Sequence, residues 1–245
     1  MGILLAASVA AWLALFSADF AMYFIRTRIA LNNFFRLPPS QRLTMALEPL
    51  AKKANLSSIH CLVTDQRFAL AHSTCDFQKS RGVIIFAEEF LNLLLEPELQ
   101  CVLAHELSHI WHKHPMRLSI ANSAAMAFTI DAVFLGWMGI MYSFFTLKIP
   151  IIAAFPVITA GGLMFFALFW FFSTAICVAY ERHCEYSADR MVVSYFGCDP
   201  EVFASALQKG RGADIADQER RILGLNFRSH PTLKKRIAAL RALKR

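Results

Sequence analysis

Three long apolar stretches constrain this chain most, because a bilayer admits a polypeptide only where its backbone hydrogen bonds are satisfied internally. Residues 2–25, 120–146 and 149–180 are each long enough to cross a hydrocarbon core of about 30 Å as a helix. Only Leu147 and Lys148 separate the second stretch from the third. The sequence therefore predicts about three transmembrane helices, with the last two joined in a tight hairpin.

Composition agrees with a membrane protein and excludes several other classes. The chain is 56% hydrophobic and contains 22 Phe, which is too apolar for an ordinary soluble enzyme. The first apolar stretch is too long for a signal peptide and has no basic residue ahead of it, so we interpret it as an anchor that stays. The acidic residues Asp19 and Asp131 lie inside apolar stretches, and we assign neither a catalytic role.

The basic residues predict the orientation in the membrane. They cluster after the first stretch and in the C-terminal tail, whereas the hairpin turn carries only Lys148, so these two segments are expected to face the cytoplasm. The net charge of +7 comes without a nucleic-acid recognition motif, and anionic lipid headgroups explain it. Six cysteines without a C-x-x-C pair favour reduced thiols.

A His-Glu-x-x-His motif at residues 105–109 predicts hydrolytic zinc chemistry. Residues four apart on a helix differ by about 40° in azimuth, so His105 and His109 can ligate one ion. Glu106 lies beside them, where a carboxylate can take a proton from a water molecule that the metal has acidified. Chance occurrence is the alternative, but Pro97 at a helix start and the apolar stripe that follows argue against it.

A third ligand can be sought by elimination. A metzincin would need Gly and His where this chain has His112 and Pro115, so that class is excluded. His112 lies on the same stripe as the first two histidines, but a third ligand from one straight helix would distort the tetrahedron. Glu185 and Asp189 are the better candidates, since they are four apart and one can ligate while the other holds an imidazole. A solvated charged turn after the third span is the competing interpretation.

Three sequence blocks together resemble a known family. They are HELSHIWHKHP from His105, R-x-x-E-x-x-A-D at residues 182–189, and SHPTLKKRIAAL from Ser229. In this order they resemble the M48 membrane metalloproteases, the HtpX-like and CAAX prenyl protease group. The resemblance implies a gluzincin-type zinc protease domain, one zinc ion per chain, and metalloendopeptidase activity.

The resemblance also implies a role for each matching residue. The implied zinc ligands are His105, His109 and Glu185, the implied catalytic base is Glu106, and Asp189 is implied to orient a ligand. His230, which precedes a proline, is implied to help bind substrate, although it could also be an N-cap-region residue of the last helix. The strand that receives substrate in the family is matched only loosely here.

The predicted fold is mainly α with a small β-sheet. We expect an anchor at 1–25, the first part of a cytoplasmic protease domain at 26–118, a transmembrane hairpin at 119–180 and the second part of the protease domain at 181–245. Helices are expected at 40–55, broken at Pro49, at 87–95, from Glu96, and at 201–208 and 231–243. Short strands are expected at 58–64, 68–73 and 82–86.

The functional hypothesis is a zinc-dependent integral membrane endopeptidase in protein quality control, in a bacterial inner membrane with its site facing the cytoplasm. Its expected partners are protein or peptide substrates, above all membrane proteins, and the lipid bilayer, without nucleic acid. A dedicated processing protease of the CAAX type is one alternative. A non-catalytic zinc-containing sensor or scaffold is the other, and the intact Glu106 argues against it, since a structural site needs no base.

Overall fold

The computed structural model of the protein describes residues 2–65, 71–76, 81–148, 151–213, 221–222, 225–226 and 231–243. Within these ranges the chain is mainly helical with a small mixed sheet, as predicted. The helices are α1 (Gly2–Phe34), α2 (Gln41–Lys53), α3 (Glu88–Leu93), α4 (Glu96–Trp111), α5 (His114–Thr146), α6 (Ile151–Ser194), α7 (Pro200–Ala213) and α8 (Leu233–Ala242). The strands are β1 (Ile59–Thr64), β2 (Ala71–Cys75), β3 (Gly82–Ala87), β4 (Arg221–Ile222) and β5 (Leu225–Asn226).

Two compact units divide the chain. The apolar unit comprises Met1–Phe24 and Ser119–Cys177, and the mixed unit comprises Ile25–Leu118 and Val178–Arg245. Two helices in the described part of the chain are long and apolar enough to cross a membrane, His114–Thr146 and Thr159–Ser194. The first predicted span lies in α1, where the side chains of residues 2–9 are outside the described part, so that span stays a prediction.

Helices α5 and α6 pack against each other within the apolar unit through small and polar side chains. The hydroxyl groups of Thr129 and Ser173 lie 2.8 Å apart, which joins the two helices by a hydrogen bond. A Cβ atom built on Gly161 would come within 2.8 Å of the Ile140 side chain, so this glycine permits a close approach. Such contacts between small residues are typical of helix pairs in lipid.

The mixed unit is built around α4. Its three-stranded sheet has the order β1-β3-β2, with β1 parallel and β2 antiparallel to β3. Helix α4 lies between α2, α7 and strand β2. Leu99, Leu103 and Leu107 are completely buried in one continuous core. Helix α4 is therefore the central element of this unit, and four of its polar residues are buried, namely Glu98, His105, Glu106 and Ser108.

Three details differ from the sequence-based prediction. Pro49 was expected to break the second helix, but α2 continues through it. Pro49 is exposed, as is Met45, whose carbonyl loses its usual helical partner and can be hydrated instead. Helix α8 begins at Leu233, two residues after Pro231, with Thr232 as its N-cap. The third apolar stretch is part of a single 44-residue helix, α6, that ends at Ser194.

A buried carboxylate fastens α7 to the start of α4. Glu98 is 3% exposed. It accepts hydrogen bonds from the backbone N–H of Leu95 at 2.7 Å and from the hydroxyl of Ser205 at 2.7 Å. The ammonium group of Lys209 donates to the same carboxylate at 2.6 Å and to the Leu93 carbonyl at 3.1 Å. One side chain thus caps α4 and also holds the facing helix.

We expect Glu98→Ala to lower the free energy of unfolding by about 2–3 kcal/mol, because several charge-assisted hydrogen bonds and a helix cap are lost together. For a chain of this size the loss corresponds to a fall in the thermal midpoint of about 5 °C or more, measured by circular dichroism in detergent. Glu96→Ala is the matched control, since this exposed carboxylate contacts only Arg42, at 3.6 Å, and should leave the midpoint nearly unchanged. Equal midpoints for both variants would contradict the anchoring role of Glu98.

Candidate metal centre

Helix α4 brings two imidazoles together in the mixed unit. His105 and His109 are one turn apart, and their Nε2 atoms lie 3.1 Å from each other. The ring planes meet at 80° with centroids 4.7 Å apart. The helix begins with Pro97 in its first turn and Glu96 and Glu98 beside it, an arrangement that suits the positive end of a helix dipole. The predicted pairing of the two histidines is therefore present.

Glu185, from α6, completes a group of three ligand atoms. Its Oε2 lies 3.6 Å from Nε2 of His105, and its Oε1 lies 3.4 Å from Nε2 of His109. The side chain is 7% exposed. One ligand atom from each of the three residues lies within 4.8 Å of the others, close enough to hold a single ion.

The separations fit a tetrahedral metal ion. With bonds of about 2.0–2.1 Å, neighbouring donors around zinc lie about 3.3 Å apart. The 3.1 Å between the two Nε2 atoms is close to that value, and each Nε2 has one oxygen of Glu185 at a similar distance, Oε2 at 3.6 Å from His105 and Oε1 at 3.4 Å from His109. Two nitrogen atoms and a carboxylate oxygen are also donors that zinc accepts in catalytic sites. The residues present therefore suit a zinc ion both in spacing and in chemistry.

Asp189 lies one turn beyond Glu185 on α6 and faces the other side of the His105 ring. Its Oδ1 is 3.1 Å from Nδ1 of His105. The contact is close but off-axis, since Nδ1 is buried without a well-aligned hydrogen bond. A carboxylate behind a ligand imidazole is the usual way in which proteins orient that ring. The structure thus places the two carboxylates at opposite nitrogens of the His105 ring, Glu185 at Nε2 and Asp189 at Nδ1.

Arg236, from α8, contacts both carboxylates. It donates two hydrogen bonds to Asp189, from Nε to Oδ2 at 2.8 Å and from an Nη atom to Oδ1 at 2.6 Å. Its other Nη atom lies 3.1 Å from Oε2 of Glu185. This guanidinium therefore ties α8 to α6 immediately behind the three ligand atoms.

The charges of the site favour a cation between the imidazoles. Burial lowers the pKa of His105, but the carboxylates of Asp189 and Glu185 outweigh it and raise the pKa to about 9. Burial and the nearby charge of His105 hold the pKa of His109 well below its usual range. The two carboxylates thus favour the charged form of His105, whereas burial and the charge of His105 favour the neutral form of His109.

Glu106 is buried at 8% exposure next to His105 on α4. One residue along a helix it projects about 100° away from the ligand face. Its carboxyl group nevertheless influences the pKa of Arg236, which contacts Glu185 and Asp189. Burial lowers the pKa of Arg236, but Asp189, Glu185 and, more weakly, Glu106 raise it above its ordinary value.

Other residues singled out in the sequence have separate positions. His112 is not in the group of three, because it caps the end of α4 and its Nδ1 donates to the Ser108 carbonyl at 3.0 Å. His230 lies outside the described residues. Phe68–Leu70 of the loosely matching strand also lie outside them, and β2 begins at Ala71.

Sequence reasoning missed two contributors, Arg236 and His114. Arg236 shares a helical stripe with Ile237 and Leu240, which are buried, so a charge on that stripe was a usable signal. His114 received no role in the sequence analysis, yet it is 6% exposed and its Nδ1 lies 3.0 Å from Nδ1 of His109.

We expect Arg236→Met to lower the free energy of unfolding of the zinc-free protein by about 3–5 kcal/mol near neutral pH, since two buried carboxylates lose their cation. Burial raises the pKa of Asp189, but Arg236 and His105 outweigh it and lower the pKa below 3.8. Without Arg236 burial dominates and the carboxyl binds a proton on folding. The loss should therefore be larger at about pH 7.5 than at about pH 4.5.

Thermal melts at the two pH values check this expectation. Arg241→Met is the matched control, because this exposed arginine on the same helix makes a similar two-bond contact to the exposed Glu201, at 2.8 and 2.9 Å. We expect it to leave the midpoint nearly unchanged at both pH values. A loss for Arg236→Met that grows as the pH falls would contradict the electrostatic role.

Comparison with known proteins places the chain among peptidases. The sequence profile of Peptidase family M48 matches residues 39–244. A protease HtpX homolog of Acidiphilium cryptum is 27% identical over 251 residues, covering 92% of this chain and 83% of its own length. A protease HtpX homolog of Campylobacter concisus is 27% identical over 274 residues, covering 99% of this chain and 88% of its own.

A solved structure has the same fold. The crystal structure of S. mikatae Ste24p matches with a TM-score of 0.61 at 18% sequence identity and covers 98% of this chain. The chain spans 62% of the length of that protein. The resemblance predicted from the three sequence blocks is confirmed, since the profile match includes all of them. This chain therefore belongs to peptidase family M48.

Proposed function

We propose that this protein is a zinc-dependent integral membrane endopeptidase that holds one zinc ion per chain. The observation that carries the proposal is the triangle of His105, His109 and Glu185 with the buried carboxylate of Glu106 beside it. A site that only stabilises the fold commonly has four protein ligands, whereas catalytic zinc sites have three and leave one position open. The described residues bring together three such ligands.

Each residue of the centre has a distinct task in this proposal. His105, His109 and Glu185 hold the metal, which when bound polarises a carbonyl and acidifies water. Asp189 orients the ring of His105, and Arg236 contacts both carboxylates and favours the ionised form of Asp189. Glu106 accepts a proton from the water molecule that attacks the scissile carbonyl and delivers it to the leaving amine. His230 contacts the substrate in this assignment, as the family resemblance implies.

For the membrane we propose a third span in addition to the two helices that are long and apolar enough to cross a bilayer. Residues 2–25 form a third span, and the domain boundaries follow the sequence, with 1–25 and 119–180 in the bilayer and 26–118 and 181–245 in the protease domain. The basic residues after the first span and in the tail support a site at the cytoplasmic face. The substrates are membrane or membrane-associated proteins, and the role is quality control.

Zinc binding tests the ligand assignment. Replacing His105, His109 or Glu185 by Ala should remove most of the bound zinc, counted per chain by plasma emission spectroscopy on protein in detergent. Asp189→Ala should instead weaken zinc binding about 10- to 100-fold, as is usual when a ligand loses its orienting partner. His112→Ala is the control. This variant should keep its zinc, because the Nδ1 atom of His112 donates to the Ser108 carbonyl and the residue is not one of the three proposed ligands. Full zinc occupancy in Glu185→Ala would exclude Glu185 as a ligand.

Glu106→Gln separates an enzyme from a scaffold. Gln has nearly the shape of Glu but cannot accept a proton, so the variant should keep zinc, fold and membrane insertion while cleavage falls at least about 100-fold. Cleavage of an unfolded membrane protein by purified full-length protein in detergent is the measurement. If the variant cleaves as fast as wild type, Glu106 is not the base. A zinc-loaded wild type that cleaves nothing offered would favour the sensor or scaffold.

A further inference from the structure

Each ligand imidazole of the centre needs a partner for its second ring nitrogen. A histidine that binds a metal through Nε2 carries its proton on Nδ1, and a fixed acceptor for that proton sets the orientation of the ring. Asp189 stands at this position behind His105, 3.1 Å from Nδ1. His109 turns its Nε2 toward the same site, so its Nδ1 points away and requires an acceptor of its own.

The atom found there belongs to a third histidine. Nδ1 of His114 lies 3.0 Å from Nδ1 of His109, with the ring centroids 5.0 Å apart and the planes at 73°. When Nε2 of His109 faces a metal, its Nδ1 donates and Nδ1 of His114 accepts. The proton of the His114 ring is then on Nε2. His114 is 6% exposed, so water has little access to replace this contact.

The backbone makes a special turn to bring His114 to this position. On a continuing helix a residue five places after His109 would lie about 140° around the axis and could not reach its ring. Helix α4 ends at Trp111, His112 is its C-cap, and Lys113 adopts a left-handed conformation with φ of 55°. That conformation costs a non-glycine residue about 1–2 kcal/mol. Helix α5 then begins at His114 itself.

A neighbouring ring supports the same position. His112 stacks on His114 with centroids 5.0 Å apart and planes at 8°. His112 is in turn held by its hydrogen bond to the Ser108 carbonyl. The stacking and the hydrogen bond therefore hold the ring of His114, and with it the acceptor atom Nδ1, in a defined orientation.

We propose that His114 is a positioning residue for the metal centre, which accepts the hydrogen bond of His109 Nδ1 and sets the ring of His109 for ligation. It is the counterpart of Asp189 on the other ligand histidine. The inference rests on the proposed metal site, but it concerns metal affinity and not the cleavage reaction. Its test is therefore independent of whether a substrate is found.

Zinc affinity of the full-length protein in detergent, measured by competition with a chromophoric chelator, tests the inference. In His114→Asn the Oδ1 atom can occupy the place of Nδ1 and accept the same hydrogen bond, whereas His114→Phe keeps a ring without an acceptor. We expect the Phe variant to bind zinc about 10- to 100-fold more weakly and the Asn variant to stay within about threefold of wild type. A purely structural role would give the opposite order, since Phe fills the buried space better.

Further variants keep the test decisive. His114→Ala also lacks the acceptor and serves if the Phe variant does not fold, as judged by gel filtration and the zinc-free melting curve. His112→Ala is the comparison variant, since it removes the ring that stacks on His114 but leaves the acceptor itself in place, and it should lower zinc affinity clearly less than His114→Phe does. Equal losses for His112→Ala and His114→Phe would overturn the proposal, because the effect would then belong to the whole turn.

The remaining outcomes separate this inference from the proposed function. Wild-type affinity in His114→Phe, or a loss in His114→Asn as large as in Phe, overturns the positioning role even if the protein is an active peptidase. A wild type that binds zinc and cleaves nothing refutes the proposed function, while the order of the variants still decides the role of His114. A wild type that binds no zinc overturns the inference.

Discussion

The buried charges at the meeting point of α4, α6 and α8 determine the arrangement of the metal centre. Glu106, Glu185 and Asp189 are buried carboxyl groups, and Arg236 contacts the last two, which also raise the pKa of His105. Isolated charges of this kind are costly in a protein interior unless they are paired. Arg236 supplies that pairing for Glu185 and Asp189, and His105 lies between the same two carboxylates.

Two elements far apart in the chain are recruited by these charges. Helix α6 supplies Glu185 and Asp189 from its last turns, and α8 supplies Arg236, which bonds both. Glu98 plays a comparable role at the start of α4, where it holds α7. The core around these contacts is apolar, so removing one partner of a pair would leave the other buried and unpaired, which destabilises the fold. Packing and electrostatics therefore support the same arrangement of helices.

The short connection between α4 and α5 links the helix that carries the histidine pair to a helix that is apolar enough to cross a membrane. In three residues the chain leaves the helix that carries the histidine pair, passes through a left-handed Lys113 and enters a helix apolar enough to cross a membrane. His114 is at once the first residue of that helix and a neighbour of His109. The candidate metal site and the second apolar helix are thus adjacent in sequence.

The sequence alone determined the features that depend on local spacing. Histidines four apart on an apolar helix must share a face, so the pairing of His105 with His109 could be read directly, as could that of Glu185 with Asp189. The long apolar runs and the three family blocks are likewise continuous stretches of sequence, so they could be recognised without the tertiary structure. The spacing left open which of Glu185 and Asp189 faces the metal, and the family resemblance supplied that assignment.

Only the tertiary structure decided the long-range contacts. Arg236 is 47 residues from Asp189, and its contact depends on how α8 packs on α6, which no periodicity encodes. The approach of His114 to His109 depends on a backbone conformation that is uncommon for Lys113 and that its residue type does not predict. Pro49 is a further case in which the residue type alone misled the prediction. Helix α2 continues through it, and the residue is exposed. Local spacing determines which residues share a helix face, whereas burial and packing determine what that face meets.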